Sequence, residues 1–170
     1  MGLDYFFAVK GPDTRPGLEP ISFALSRASS MGPCLAAYAK RHCPGVQGPD
    51  RYCLTRTDWN GFMGALRARL PLIEALTDCV DSVFDDDPDI PDGIHSPAAE
   101  DWKRLAAFER WFADLFRGFA YDNAEPFSLD RAHFEAGVER AFALLLWLRL
   151  DAEVQEALQD PEKRVYLLIG

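Results

Sequence analysis

The chain has 170 residues, 48% of them hydrophobic, with 27 acidic and 18 basic side chains and a formal net charge of −9. That length suits one domain spanning residues 1–170 with room for a sizeable core, and the apolar content rules out a disordered chain. The acid excess argues against a general nucleic-acid binder, because phosphate contacts require Lys and Arg in surplus.

Residues 3–9 are aromatic and β-branched enough to predict a strand. Residues 20–43 read as one or two short helices, with Pro33 in the first turn of the second, Ser30 near its cap and Pro44-Gly45 ending it. Tyr52 to Thr55 form another candidate strand. A long helix is expected over 58–85, capped by Asp58, with Trp59, Phe62, Met63, Leu66, Leu70, Ile73, Leu76, Val80, Val83 and Phe84 on one stripe. Pro71 lies inside it and should kink or divide it.

A second long helix is expected over 97–121, with Ser96 as cap and Pro97 as its first residue. Its apolar arc holds Trp102, Leu105, Phe108, Trp111, Phe112, Leu115, Phe116 and Phe119, wide enough to pack against two neighbours. A third is expected over 129–158, with Ser128 as cap and apolar residues all round, so it belongs at the centre of its bundle. Asp151 reads as the cap of a final short helix. Val165 to Ile169 form the last strand, and a small sheet joining the two ends of the chain is predicted. The fold class is therefore mainly α (α+β): a helical bundle of three or more helices with a small sheet made by the terminal strands.

The start of the chain has no basic leader, and its longest apolar run, Ala141 to Leu148, is far short of the roughly 20 residues needed to cross a bilayer. A cytoplasmic protein with no membrane partner is expected. Cys34, Cys43, Cys53 and Cys79 should then be reduced. The first three lie near His42 in sequence, but their spacing matches no common zinc module, so buried thiols are the expected reading, with no metal and no cofactor.

The charge is concentrated. Ten acids and no Lys or Arg fall between Leu70 and Trp102, whereas the rest of the chain carries 18 basic against 17 acidic groups. The centre of this window, Asp85-Asp86-Asp87-Pro88-Asp89-Ile90-Pro91-Asp92-Gly93, reads as a loop between two helices. Counted from Asp85 as an EF-hand, it has Ile90 where Gly is needed and Ser96 where Glu is needed, so the calcium motif fails. A solvated loop is the bland alternative, and a nucleic-acid mimic would carry acids over a larger surface. The functional reading is a docking surface for a basic protein made by Asp78, Asp81, Asp85, Asp86, Asp87, Asp89, Asp92, Glu100 and Asp101, since clustered acids focus the field and steer association.

Catalytic motifs are missing: there is no G-x-S-x-G, P-loop, G-x-G-x-x-G or H-E-x-x-H. Asp130 and His133 have the spacing of a di-metal carboxylate–histidine pair, but such sites need a second pair and further carboxylates from other helices, and a surface pair is expected. Arg149 falls in angle between Val138 and Phe142 on an apolar stripe. It is expected either to bind an anion or, more plainly, to cap the last carbonyls of its helix. No catalytic residue is assigned. A small enzyme with a scattered site around Arg149, His133 or the cysteines is the competing class, and a structural or assembly component is a third.

The opening Met1-Gly2-Leu3-Asp4 followed by Tyr5-Phe6 resembles small phage and prophage proteins that begin MGLDMYL, departing at residue 5, where Tyr stands in place of Met. The strand-like Tyr52-Cys53-Leu54-Thr55 leading into an aromatic, leucine-rich helix is a second, looser likeness. The resemblance implies a mobile-element context, in which proteins of this size bind and block a host protein, including defence machinery. The expectation is a non-enzymatic interaction protein whose acidic segment meets a basic partner.

Overall fold

Aromatic and β-branched residues crowd both ends of the chain, and in the computed structural model those ends pair with each other. The structure describes residues 5–10, 23–24, 38, 41–42, 51–84, 87–94, 97–116 and 131–169. The chain divides into two compact units, Met1–Ala65 with Arg149–Gly170, and Leu66–Leu148. The fold is mainly helical with antiparallel strands, as the apolar periodicity predicts, and no described helix is long and apolar enough to cross a membrane.

In the first unit, β1 (Tyr5–Lys10) and β6 (Arg164–Ile169) run antiparallel from Tyr5 opposite Ile169 to Lys10 opposite Arg164. β2 (Phe23–Ala24) joins the outer side of β1, and β3 (Arg51–Leu54) that of β6, giving the order β2-β1-β6-β3. Phe23 and Ala24 are thus extended, not part of the expected helix over 20–43, while Tyr38, Arg41 and His42 within that span do have helical backbone. Pairing with β1 supplies hydrogen-bond partners that local helix propensity cannot weigh. Ser30, Pro33, Pro44 and Gly45 lie outside the described residues. The registered pairs Cys53–Tyr166 and Leu54–Val165 are all buried. Successive strand residues point to opposite faces, so both faces of the sheet are covered at this register.

α1 (Arg56–Arg67) follows β3 without a loop. Its cap is reciprocal: the Thr55 hydroxyl accepts from the Asp58 N–H at 3.1 Å, and the Asp58 carboxylate accepts from the Thr55 N–H at 2.9 Å. Thr55, not Asp58, is therefore the N-cap, and Asp58 is its partner one turn in. Trp59, Phe62, Met63 and Leu66 form the buried stripe of α1, each with no exposed surface. Burial of side chains this size stabilises by roughly 2 kcal/mol apiece.

The indole N–H of Trp59 donates to the Asp151 carboxylate at 2.8 Å, and Gln155 donates to the same oxygen at 3.1 Å while also bonding Asn60. Asp151 is 5% exposed and sits inside a continuous helix, α4 (Arg131–Ala157). It does not start a separate helix; its place in the interior comes from the acceptor it offers to a buried donor. Past the end of α4, Asp160 makes a tight turn, accepting from the Glu162 N–H on its side chain at 3.0 Å and from the Lys163 N–H on its carbonyl at 3.1 Å. That turn, with Pro161 in it, delivers the chain to β6.

The long helix expected over 58–85 is divided, and it is also shorter. α1 stops at Arg67, and α2 (Leu70–Thr77) starts anew with Pro71 in its first turn, where a missing N–H is harmless. After Thr77 the chain turns to strand: β4 (Val80–Phe84) pairs antiparallel with β5 (Asp87–Ile94). Val80, Val83 and Phe84 accordingly leave the helical stripe. β-branched and aromatic residues favour the strand, and Pro88 and Pro91 are tolerated because, among the described residues, each strand of the ribbon pairs on one edge alone.

α3 (Ala99–Leu115) is capped by Ala98, with Pro97 two residues ahead of the helix. The N-cap is Ala98 and not the expected Ser96, and the Asp101 carboxylate, one turn in, accepts from the Ala98 N–H at 2.8 Å. Ser96, Phe119 and Ser128 lie outside the described residues. The arc of α3 packs as predicted: Leu105, Phe108, Phe112 and Phe116 are buried, and the last three stack along the helix with ring centroids 5.6 and 4.6 Å apart. α3 meets α2 on one side and α4 on another, where Trp102 lies against Phe134 at 5.2 Å. At Gly137 the helices come close enough that an added Cβ would sit 2.1 Å from the Leu105 Cδ1 atom. Arg149, on α4, is exposed on a helix that continues for two more turns, so it neither enters an apolar stripe nor caps a terminus.

Two substitutions test these contacts. Asp151→Ala leaves the Trp59 indole without its acceptor and should lower stability by about 2 kcal/mol, with Asp151→Asn losing less; urea titration followed by tryptophan fluorescence measures both. Thr55→Ala should lose about 1 kcal/mol and Thr55→Ser almost nothing, so equal losses would show that the cap is not the cause.

Candidate functional site: the acidic segment

The acids singled out in the sequence divide into three groups once folded. Asp81 lies in β4, and Asp87, Asp89 and Asp92 lie in β5, so these four share one two-stranded ribbon instead of a loop. The register of that ribbon is irregular: Val80 opposes Ile94, Ser82 opposes Gly93, Val83 opposes Pro91 and Phe84 opposes Asp87. Asp85 and Asp86 lie outside the described residues.

The second group flanks the ribbon at helix termini. Asp78 is exposed at the C-cap of α2, where its N–H donates to the Glu74 carbonyl at 2.9 Å. A negative charge there opposes the helix dipole, which contributes to ending the helix at Thr77. Glu100 is exposed in the first turn of α3, where a negative charge suits the dipole, and pairs with Lys103 at 3.0 Å. Both partners of that pair are solvated, so it holds little energy and leaves Glu100 accessible.

The third group is Asp101 alone. It is 8% exposed, and its carboxylate is taken up by the Ala98 N–H and by the Arg104 guanidinium at 3.2 Å. It is withdrawn from any surface that the other acids could form. The sequence placed it with them because composition does not distinguish a solvated carboxylate from a capping one.

Asp101 also bears on Cys79. Burial, and then the neighbouring Asp101 charge and the hydrogen bond to it, raise the Cys79 thiol from 9.0 to about 11. The sulfur lies 3.8 Å from the Ala75 carbonyl. Such a thiol stays protonated at neutral pH and is a poor nucleophile. Cys53 is buried too, so both described cysteines are buried as expected, and Cys34 and Cys43 lie outside the described residues. Among the described residues no three His, Cys, Asp or Glu side chains come together as a metal site.

His133 has a neighbour that sequence spacing did not suggest. Its Nε2 atom lies 2.8 Å from Oε1 of Glu109, across the packing of α3 on α4, and both atoms are shielded from solvent. His133 therefore faces another helix, not an open surface; Asp130 lies outside the described residues. The only available signal was that Glu109 and His133 each adjoin the apolar stripe of their own helix, next to Phe108 and Phe134. His42 is exposed and stacks on Tyr38 at 4.6 Å, and Tyr38 in turn meets Phe62 at 4.7 Å.

No family model matches the chain, and neither does any curated protein or solved structure compared with it.

The Cys79 environment makes a signed prediction. The folded thiol ionises at higher pH than the unfolded one, so its stabilising contribution is complete below pH 9 and is lost as pH rises toward 11. Over that window the protein should lose on the order of 2 kcal/mol more than a Cys79→Ala variant does. Denaturant midpoints of the two proteins at pH 8 and pH 11 give the comparison, and parallel declines would refute the assignment.

Proposed function

We propose that this protein is a non-enzymatic interaction module that acts in the cytoplasm by binding a basic partner protein through its acidic segment. The observation that carries the reading is the charge distribution: ten acids without one Lys or Arg between Leu70 and Trp102, in a chain otherwise nearly balanced. A field of one sign over a short span accelerates encounter with an oppositely charged surface and rejects like-charged ones. The folded arrangement supports it further, since Asp81, Asp87, Asp89 and Asp92 share the β4–β5 ribbon and the flanking Asp78 and Glu100 are exposed. Asp101 has no part in the contact because its carboxylate is already engaged.

The resemblance of the opening residues to phage and prophage proteins supports a host protein as the partner and inhibition of that protein as the outcome. A positively charged host surface, such as one that grips nucleic acid, has the chemistry this segment complements.

Immobilised protein should retain such a partner from a bacterial lysate at low salt and release it as salt is raised. Changing Asp81, Asp85, Asp86, Asp87, Asp89 and Asp92 together to Asn should weaken binding at least roughly tenfold, since each solvated pair contributes a few tenths of a kcal/mol. It should also flatten the salt dependence. If affinity and salt response both stay as in the parent, the acidic segment is not the docking surface.

A further inference from the structure

We draw no further inference here: the strongest candidate, the shielded contact between Glu109 and His133 where α3 packs on α4, joins two side chains to each other and nothing in the structure points to a ligand there.

Discussion

The hydrogen bond from the Trp59 indole to the Asp151 carboxylate joins positions 92 residues apart and organises the unit built on the terminal sheet. α1 begins directly after β3, and α4 leads through the Asp160 turn into β6. Fixing Trp59 against Asp151 therefore fixes the helices adjoining two strands that pair with each other, from Arg51 opposite Leu168 to Leu54 opposite Val165. A carboxylate in an apolar interior is unfavourable unless its lone pairs are engaged. Here the indole and the Gln155 amide engage them. The bond is directional, whereas burial of Phe62, Met63 and Val154 is not, and direction is what a register requires.

The other unit is held by a different kind of constraint. Leu105, Phe108, Phe112 and Phe116 line α3 with large side chains, and α4 answers at Gly137 with none. Large against small lets the two helices approach and interdigitate, so the close packing of the interior specifies their alignment. Polar groups at the margins of this core are used in pairs: Asp101 with Arg104 and the Ala98 N–H, and His133 with Glu109. The capping carboxylate of Asp101 has a second effect, since its charge adds to burial in keeping Cys79 protonated.

Between α2 and α3 the chain carries Asp81, Asp87, Asp89 and Asp92 on the two strands of one ribbon. The stretch after Thr77 has two conflicting patterns: Val80, Val83 and Phe84 continue a helical stripe, yet they are residues that strands favour. Acids toward a helix C-terminus oppose its dipole, and Pro88 and Pro91 would interrupt any helix that passed them. Antiparallel pairing with β5 resolves the conflict, because it satisfies backbone groups that a frayed helix end would leave to water.

Much of this architecture was readable from residue order. The terminal strands, the stripe from Trp59 to Leu66, the aromatic arc of α3, the long α4 and the break near Pro71 all follow from local periodicity and from the stereochemistry of proline. The charge concentration between Leu70 and Trp102 is a property of composition alone. What residue order did not determine was the role of each polar side chain. Asp58 and Asp151 both resemble caps, but one completes a reciprocal cap with Thr55 and the other accepts from a buried indole. Asp101 resembles its acidic neighbours until Arg104 and the start of α3 enclose it, and Arg149 resembles a buried residue until its helix is seen to expose it. Periodicity is a local property that a sequence displays directly. The partner of a carboxylate, an imidazole or an indole is supplied by a distant segment, and only the tertiary structure brings that segment within hydrogen-bonding distance.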